Sequence, residues 1–174
     1  MLGVPQGRVR LADYDPSWPE AFARERDRIA GALVELSTGI EHIGSTAVEG
    51  MRSKPLIDIM VGLTRIEDHT LCVPRLEALG YVYKGEFGLP GRHFFVLGDP
   101  TTHHVHVVAR GGHFWRLNIH FRDLLRRDPR AREAYVAEKD RLAREHAGSR
   151  EQYTAGKDAI IRRLLSESGW TDEE

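Results

Sequence analysis

The sequence predicts an α/β domain in which a largely antiparallel sheet packs against an N-terminal helix and a C-terminal helical bundle. Three observations support this fold class. Residues 18–36 have helical periodicity, residues 40–109 contain short apolar runs separated by glycine and proline, and the pattern after residue 112 is helical again. With 174 residues, the chain can bury one core but is too short for two full domains. A single domain over residues 1–174 is therefore expected.

The N-terminal part predicts one short strand and one helix. Residues 9–11 are the strand candidate, and Ser17 with Pro19 marks the start of a helix that should run to about Leu36. The apolar residues that recur at helical spacing are Trp18, Phe22, Ile29, Leu33 and Leu36. This stripe is typical of a helix that packs against a core, and it carries no functional claim.

The central part alternates strand and turn signals. A strand ending at residues 40–43 precedes a Gly-Ser turn, and a second strand covers residues 55–63. Residues 68–79 form a helix candidate that Gly80 ends, with Pro74 weakening its first half. Further strands are predicted over residues 81–86, 92–97 and 102–109. Because their connections are short, these three strands must be antiparallel.

The C-terminal part predicts helices over residues 113–127, 129–146 and 149–168, followed by a frayed tail. Lys139 lies near the centre of the apolar stripe of the second helix, and Lys157 has the same position in the third. A lysine in such a position either extends to the edge of the core or reaches an internal polar cavity. Two of them indicate a shared anionic pocket.

The composition limits the environment and the partners. The chain has 25 basic and 26 acidic side chains, so its net charge of −1 gives no overall attraction for nucleic acid or for an anionic membrane. Cys72 is the only cysteine, which excludes an intrachain disulfide and is typical of a reducing compartment. The sequence lacks an apolar run of the roughly 20 residues that span a bilayer, and residues 1–10 lack a signal-peptide core. A cytoplasmic, soluble protein is expected.

Asp58 and the Gly-Ser turn form the first candidate site. A carboxylate inside an apolar strand costs several kcal/mol unless a cation or hydrogen bonds stabilise it. Gly44 can adopt backbone angles that point the following amides at an anion, the Ser45 hydroxyl adds a donor, and a helix starting near Thr46 would add its dipole. Together these residues predict a phosphate at Ser45 and a metal at Asp58. The alternative is an ordinary turn next to a hydrogen-bonded buried acid.

The strand THHVHVV supplies further candidate ligands. The period of two places His104 and His106 on one face and His103 on the other. An H-x-H pair can offer two imidazoles to one metal ion, and Asp58 on a neighbouring strand could complete the set. The alternative is a pair of polar residues on a solvated sheet face, and we prefer that interpretation for His103.

Basic residues near these strands are candidates for phosphate binding. Lys54 precedes the acid-bearing strand, and Arg92 opens another strand, so each could direct a cation at the same cleft. Arg122 and Arg126 lie one helical turn apart and could bind phosphate as readily as a carboxylate. For Asp123, beside them, a structural salt bridge is the favoured role.

Four motifs carry a resemblance to a known family. They are IEHIGSTAVEGMRSKPLIDIMV at residues 40–61, THHVHVVARGG at 102–112, FRDLLR at 121–126 and YTAGK at 153–157. In this order they resemble the GrpB family, an uncharacterised group assigned to the nucleotidyltransferase superfamily. The resemblance covers nearly the whole chain and implies a nucleotidyltransferase-like fold with a mixed, largely antiparallel sheet.

The superfamily signature is a Gly-Ser turn, two acids one residue apart on a strand, and a third acid on a neighbouring strand. Asp58 matches the second acid, Leu56 stands in place of the first, and the third position falls in the histidine-rich strand. The resemblance implies Asp58 and Ser45 as catalytic residues, and Asp58, His104 and His106 as ligands of a divalent metal such as Mg, Mn or Zn. Lys54 and Arg92 rest chiefly on the resemblance. With them, the candidate phosphate-binding or ligand-binding residues are Gly44, Ser45, Lys54, Arg92, Arg122, Lys139, Tyr153 and Lys157.

Three functions follow as hypotheses. The first is metal-dependent binding of a nucleotide or another phosphorylated ligand, which could support nucleotidyl transfer. Two-metal catalysis needs several carboxylates, so the reduced acid set fits one ion better and leaves enzymatic activity open. The second is a non-catalytic helper domain that binds a partner protein such as dephospho-CoA kinase, because a similar domain is fused behind that kinase in some actinobacterial proteins. The third is a metal-dependent hydrolase.

Overall fold

The computed structural model describes residues 1–5 and 9–171. The helices are α1 Trp18–Ala32, α2 His69–Ala78, α3 His113–Arg127, α4 Pro129–Glu145, α5 Arg150–Gly156 and α6 Asp158–Glu167. The strands are β1 Ser37–Ile43, β2 Ile57–Leu63, β3 Val82–Tyr83, β4 His93–Leu97 and β5 His103–Ala109. Short 3-10 helices cover Ser45–Ala47 and Ile66–Asp68. In the described ranges, every helix is too short or too polar to cross a membrane.

The strands form one sheet in the order β1-β2-β5-β4-β3. Strands β2 and β5 are parallel, and every other pair of neighbours is antiparallel. The predicted mixed, largely antiparallel sheet is thereby confirmed, as is the antiparallel arrangement of β3, β4 and β5. The parallel pair in the middle brings the acid-bearing strand next to the histidine-rich strand.

The two faces of β2 have different environments because successive side chains alternate across a strand. Ile57, Ile59 and Val61 are fully buried in the cluster that α1 and α2 complete. Met60 lies on the opposite face, where it packs with Phe114 and other residues of α3. Asp58 shares that second face with Met60, so the candidate site lies on the side of the C-terminal helices.

Two glycines allow α3 to approach the sheet closely. Gly39 and Gly62 are partners across β1 and β2, and the Trp115 indole packs over both. A β-carbon on Gly62 would lie 2.7 Å from Trp115 Cζ3, and one on Gly39 would lie 3.1 Å from Trp115 Cη2.

A second buried cluster joins the C-terminal helices to the segment after β1. Its members are Val48, Met51, Leu124, Leu125, Ala131, Tyr135, Ile160 and Leu164.

Some predicted boundaries were wrong near the N-terminus and at β2. Residues 9–11 form no strand, because the Val9 amide donates to Ala147 O and the bridge next to them is a single isolated one between Ala12 and Ser53. Helix α1 ends at Ala32, since the amides of Leu36 and Ser37 both bond to Leu33 O in a turn. Strand β2 begins at Ile57, after Pro55, which has no amide to donate to a ladder.

The last predicted helix is in fact two helices. Helix α5 ends at Gly156, helix α6 begins at Asp158, and Lys157 lies between them with its amide bonded to Thr154 O. Glycine is a poor helix former, which explains the break at this position. The break matters for function because it sets the position of Lys157.

Candidate functional site

The Gly-Ser turn follows β1 and is in contact with β2. Gly44 has φ 71° and ψ −173°, a combination that is essentially restricted to glycine. A β-carbon there would lie 2.7 Å from Asp58 Oδ2. The helix expected near Thr46 is only the three-residue 3-10 turn Ser45–Ala47, which is too short to provide a useful macrodipole. Its Ala47 carbonyl is occupied, because Arg126 donates to it from Nε and Nη2.

Asp58, His104 and His106 lie together on the face of the sheet covered by the C-terminal helices. Asp58 Oδ1 is 3.0 Å from His104 Nδ1 and 3.5 Å from His106 Nε2. One candidate ligand atom from each residue lies within 4.8 Å of the others. The parallel register explains this grouping, because Asp58 and His104 are direct partners and His106 follows two residues later on the same face.

The donor set suits one metal ion. Ligands bound at about 2.0 to 2.2 Å to one ion lie roughly 3 to 4 Å apart, close to the observed separations. Two imidazoles and one carboxylate favour Zn²⁺ over Mg²⁺, which prefers oxygen ligands. His106 Nδ1 is buried and has no hydrogen-bond partner among the described residues. His103 faces the other side and contacts Thr102 Oγ1 at 2.9 Å, but its Nε2 is buried without a hydrogen-bond partner among the described residues, so the solvated sheet face expected for it was wrong.

The protonation states also suit a metal. Burial alone would raise the pKa of Asp58, but hydrogen bonds from His104 and His106 hold that pKa well below its ordinary value. Burial lowers the pKa of His104, and the Asp58 carboxylate only partly opposes this effect. At neutral pH the pair is therefore a carboxylate and a neutral imidazole, which are the forms that bind metal ions.

Three lysines surround the same region, although the chain has only four lysines among its 25 basic residues. Lys139 is 2% exposed, and its ammonium group donates to Ser45 Oγ at 3.2 Å and to the Arg52 carbonyl. The ammonium groups of Lys54 and Lys157 lie 5.7 and 5.0 Å from the ring centroid of buried Tyr153. None of these contacts supplies a negative charge.

The charges of the three lysines influence one another, as expected of neighbouring groups. Burial, together with the charge of Lys157, lowers the pKa of Lys54 to about 7 and that of Lys139 to about 7. Burial also lowers the pKa of Lys157, and the Asp58 charge opposes that shift. Asp140 opposes the pKa shift of Lys139 and Asp158 that of Lys157, but no carboxylate among the described residues is in hydrogen-bond contact with the three ammonium groups.

Three residues that the sequence analysis missed complete the surroundings. Arg150 Nη2 lies 3.1 Å from His104 Nε2. The Phe94 ring packs against His104 and His106 at centroid distances of 4.8 and 5.2 Å. Tyr135 is hydrogen-bonded to Ser45, which limits the rise in its pKa that burial causes. The only sequence signal for Arg150 is a basic residue in the first turn of a helix, where acidic residues are preferred.

Two of the predicted phosphate-binding arginines already have internal partners. The Arg92 guanidinium stacks 4.9 Å from the Phe94 centroid and donates to the carbonyls of Glu86 and Phe87. The Phe94 ring thus contacts both the Arg92 guanidinium and the imidazoles of His104 and His106. Arg122 donates to Glu41 and to Asp123, each at 2.8 Å, which confirms the structural salt bridge predicted for Asp123.

The fold and the site define a mixed α/β domain that carries one carboxylate–dihistidine group beside a lysine cluster. The chain belongs to the GrpB family, whose model, described as GrpB protein, matches residues 8–167. The crystal structure of the conserved protein GrpB from Enterococcus faecalis is 34% identical, with a TM-score of 0.82 over 92% of this chain and 99% of that one. The resemblance inferred from the four motifs is therefore confirmed.

Curated relatives are longer in several cases. A UPF0157 protein of Pseudomonas aeruginosa is 41% identical over 165 residues, covering 91% of this chain and 66% of the relative. The UPF0157 protein YqkA of Bacillus subtilis is 35% identical, covering 91% of this chain and 46% of the relative. The chain thus spans between about half and two thirds of the length of these relatives.

Weaker similarities concern nucleotide-related proteins. A dephospho-CoA kinase of Mycolicibacterium paratuberculosis is 26% identical over 185 residues, covering 91% of this chain and 46% of the kinase. Terminal uridylyl transferase 4 from Trypanosoma brucei, solved with bound CTP, is 15% identical with a TM-score of 0.47, over 91% of this chain and 53% of that one. The second likeness is too low to carry an argument about activity.

Proposed function

We propose that this domain binds a divalent metal ion and a phosphorylated ligand at adjacent positions. Asp58, His104 and His106 hold the metal. Lys54, Lys139 and Lys157 hold the phosphate, and the Ser45 hydroxyl donates to it. The observation that carries the proposal is a cluster of three lysines whose ammonium groups contact no carboxylate among the described residues and that lies next to a carboxylate–dihistidine group. A buried ammonium group is costly unless an anion accompanies it.

The proposed ligand class is a nucleotide. A nucleotide polyphosphate is a ligand that a metal ion and several ammonium groups can bind together, because its oxygens bridge both kinds of cation. Support for a nucleotide over a simple phosphate comes from the assignment of the GrpB family to the nucleotidyltransferase superfamily. Lys139 connects the two halves of the site, since it contacts Ser45 of the turn that lies against Asp58.

Binding is better supported than nucleotidyl transfer. Leu56, in place of the first acid of the superfamily signature, is 2% exposed, and its carbonyl accepts a hydrogen bond from Thr46. Asp58 is then the one carboxylate in the ligand group Asp58, His104 and His106, which fits one metal ion. Nucleotidyl transfer by two metal ions needs more carboxylates. If transfer occurs, Asp58 and Ser45 are the residues placed to contact the reacting phosphate.

Calorimetric titration with Mn²⁺ and Zn²⁺ tests the metal half of the proposal. Wild-type protein should bind one equivalent, and Asp58→Asn and His104→Ala should each lower the affinity at least tenfold. His103→Ala is the matched control, because the His103 imidazole neighbours His104 in sequence but lies on the opposite face of the sheet. The metal affinity of this variant should equal that of the wild type. Equal metal binding by wild type and Asp58→Asn would reject the metal site.

Thermal unfolding with a nucleoside triphosphate and Mn²⁺ tests the ligand half. Millimolar triphosphate should raise the melting temperature of the wild type, because a ligand that binds only the native state stabilises it. Lys139→Met should reduce this increase. An unchanged melting temperature in the wild type would favour the second candidate function instead.

That second candidate is a non-catalytic helper domain that binds a partner protein. The observation in its favour is the similarity to nearly half of a dephospho-CoA kinase. It predicts that a dephospho-CoA kinase binds the domain and that Asp58→Asn leaves this binding unchanged. Size-exclusion chromatography of the mixture, with wild type and Asp58→Asn in parallel, distinguishes the two candidates.

A further inference from the structure

An exposed aromatic ring lies beside the candidate metal group. Phe87 is 68% exposed, whereas every other Phe, Tyr and Trp among the described residues is buried or half-buried. Its ring stacks on Phe94 with a centroid distance of 5.4 Å and an interplanar angle of 30°. Phe94 in turn contacts the imidazoles of His104 and His106. A single buried ring therefore separates the exposed ring from the metal-ligand group.

The loop of residues 84–92, between β3 and β4, holds this ring in place. Arg92 is buried, and its Nη2 atom donates to the carbonyls of Glu86 and Phe87 at 3.0 and 2.9 Å. The Glu86 carboxylate accepts a hydrogen bond from the Gly91 amide at 2.6 Å. Phe87 has φ 48°, which is uncommon for a bulky residue. Such backbone strain persists where the surroundings fix the chain, and it is frequent at sites that hold a ligand.

Three kinds of group follow one another across this face of the sheet, because the strand order is β1-β2-β5-β4. Ser45, which Lys139 contacts, follows β1, the metal-ligand group lies on β2 and β5, and Phe94 lies on β4 with Phe87 stacked on it. A nucleoside triphosphate has the same order of chemical groups. Its outer phosphates suit ammonium groups, its phosphate oxygens suit a metal ion, and its base is a planar ring at the other end.

We propose that Phe87 stacks on the base of the nucleotide whose phosphates occupy the lysine cluster. This inference rests on the proposed function and adds the position of the base to it. Aromatic side chains can stack on any base, since every base has a π-face. The glycines of the loop leave space for the base, because a β-carbon on Gly85, Gly88 or Gly91 would meet no atom within 4 Å among the described residues.

The test compares ATP with ribose 5-triphosphate, which keeps the phosphates and the sugar but lacks the base. Calorimetry in the presence of Mn²⁺ measures both affinities. Phe87→Ala should bind ATP at least about fivefold more weakly than the wild type, the lower end of the loss expected for one stacked base. Its affinity for ribose 5-triphosphate should be unchanged. Phe87→Tyr keeps a ring and should retain most of the ATP affinity.

Leu89→Ala is the matched control. It removes another exposed apolar side chain from the same loop, so it should leave both affinities unchanged. Melting temperatures close to that of the wild type would show that each variant is folded, as expected because both side chains are exposed.

Phe87→Trp gives a second readout, because a stacked base quenches indole fluorescence. ATP should quench the emission that this variant gains over the wild type, and ribose 5-triphosphate should not. If the wild type binds ATP but Phe87→Ala binds it equally tightly, the position of the base is wrong and the proposed function stands. An equal loss of affinity for both compounds in Phe87→Ala would also overturn the inference, because the ring would then act on the phosphate site.

Two further outcomes separate this inference from the rest of the site. If Phe87→Ala keeps its ATP affinity but no longer binds dephospho-CoA kinase in size-exclusion chromatography, the exposed ring belongs to a protein interface and the inference is overturned. Absence of binding of both compounds to the wild type would overturn the proposed function together with the inference.

Discussion

Gly44 lies directly against Asp58, since a β-carbon on the glycine would be 2.7 Å from the Oδ2 atom of the carboxylate. The contact joins the turn proposed to receive a phosphate to the strand proposed to hold a metal. Glycine is needed at this position for two reasons. Its backbone angles are essentially restricted to glycine, and a side chain would collide with the carboxylate.

Gly44→Ala is therefore expected to destabilise the protein and to weaken metal binding. Backbone strain alone should cost about 1 to 3 kcal/mol in unfolding free energy. The added methyl group must also displace the Asp58 carboxylate, which should lower Mn²⁺ or Zn²⁺ affinity at least tenfold. Chemical denaturation and calorimetric titration measure the two effects separately.

Gly50→Ala is the control for this prediction. Gly50 also has a positive φ, of 74°, but a β-carbon there would meet no atom within 4 Å among the described residues. The substitution should also introduce backbone strain, and it should leave metal affinity unchanged. If both variants lose metal binding equally, general destabilisation accounts for the loss and the contact with Asp58 does not.

Much of the fold could be predicted because its signals are local. Short apolar runs, turn residues and helical stripes identify β1, β2, β4, β5 and the first four helices to within a few residues. The pairing of β2 with β5 depends on contacts between segments some 45 residues apart, and the residues alone gave no register for it. The break at Lys157 was missed because the apolar stripe continues through Gly156.

The residues of the candidate site were also only partly predictable from the sequence. Several site residues could be predicted because they are exceptions to local sequence patterns. They are the carboxylate in an apolar strand, the H-x-H pair and the two lysines within apolar stripes. Arg150 and Phe94 follow their local patterns, as a charged residue at a helix start and an apolar residue in a strand. Only their distances to His104 and His106 connect them with the site.

Anion binding should weaken as the pH rises through about 7. Lys54 and Lys139 have pKa values of about 7 because burial disfavours their charged forms, so each loses its proton above that pH. An anion binds best while both are charged, which places the stronger binding below pH 7. Sulfate is the suitable probe since its own charge is constant from pH 6 to pH 9, and its affinity should fall about tenfold or more over that range.

Lys139→Met provides the control for this pH dependence. The variant should bind sulfate more weakly at pH 6 and should show a smaller fall between pH 6 and pH 9, because one of the two titrating groups is gone. Sulfate affinity that is independent of pH in the wild type would show that these lysines do not face the anion.

Lys157→Met separates a ligand-binding role from a structural one. The ammonium group lies over the Tyr153 ring, and burial lowers its pKa, so it has a favourable contact but an incomplete counter-charge. If it serves a ligand, the variant should bind sulfate at least severalfold more weakly while its melting temperature stays the same or rises, because a poorly compensated charge is removed. If it serves a buried ion pair, the substitution should instead cost several kcal/mol.

Lys84→Met is the matched control, since Lys84 is exposed and is the one lysine outside the cluster. It removes the same charge and adds the same side chain, so any change in sulfate affinity that arises from net charge alone should be equal in both variants. The prediction is a loss in Lys157→Met and nearly unchanged affinity in Lys84→Met, at equal ionic strength and pH 6. Equal affinities for the two variants would place Lys157 outside the anion site, because a cation within a few ångströms of the sulfate must contribute more than a distant, screened one.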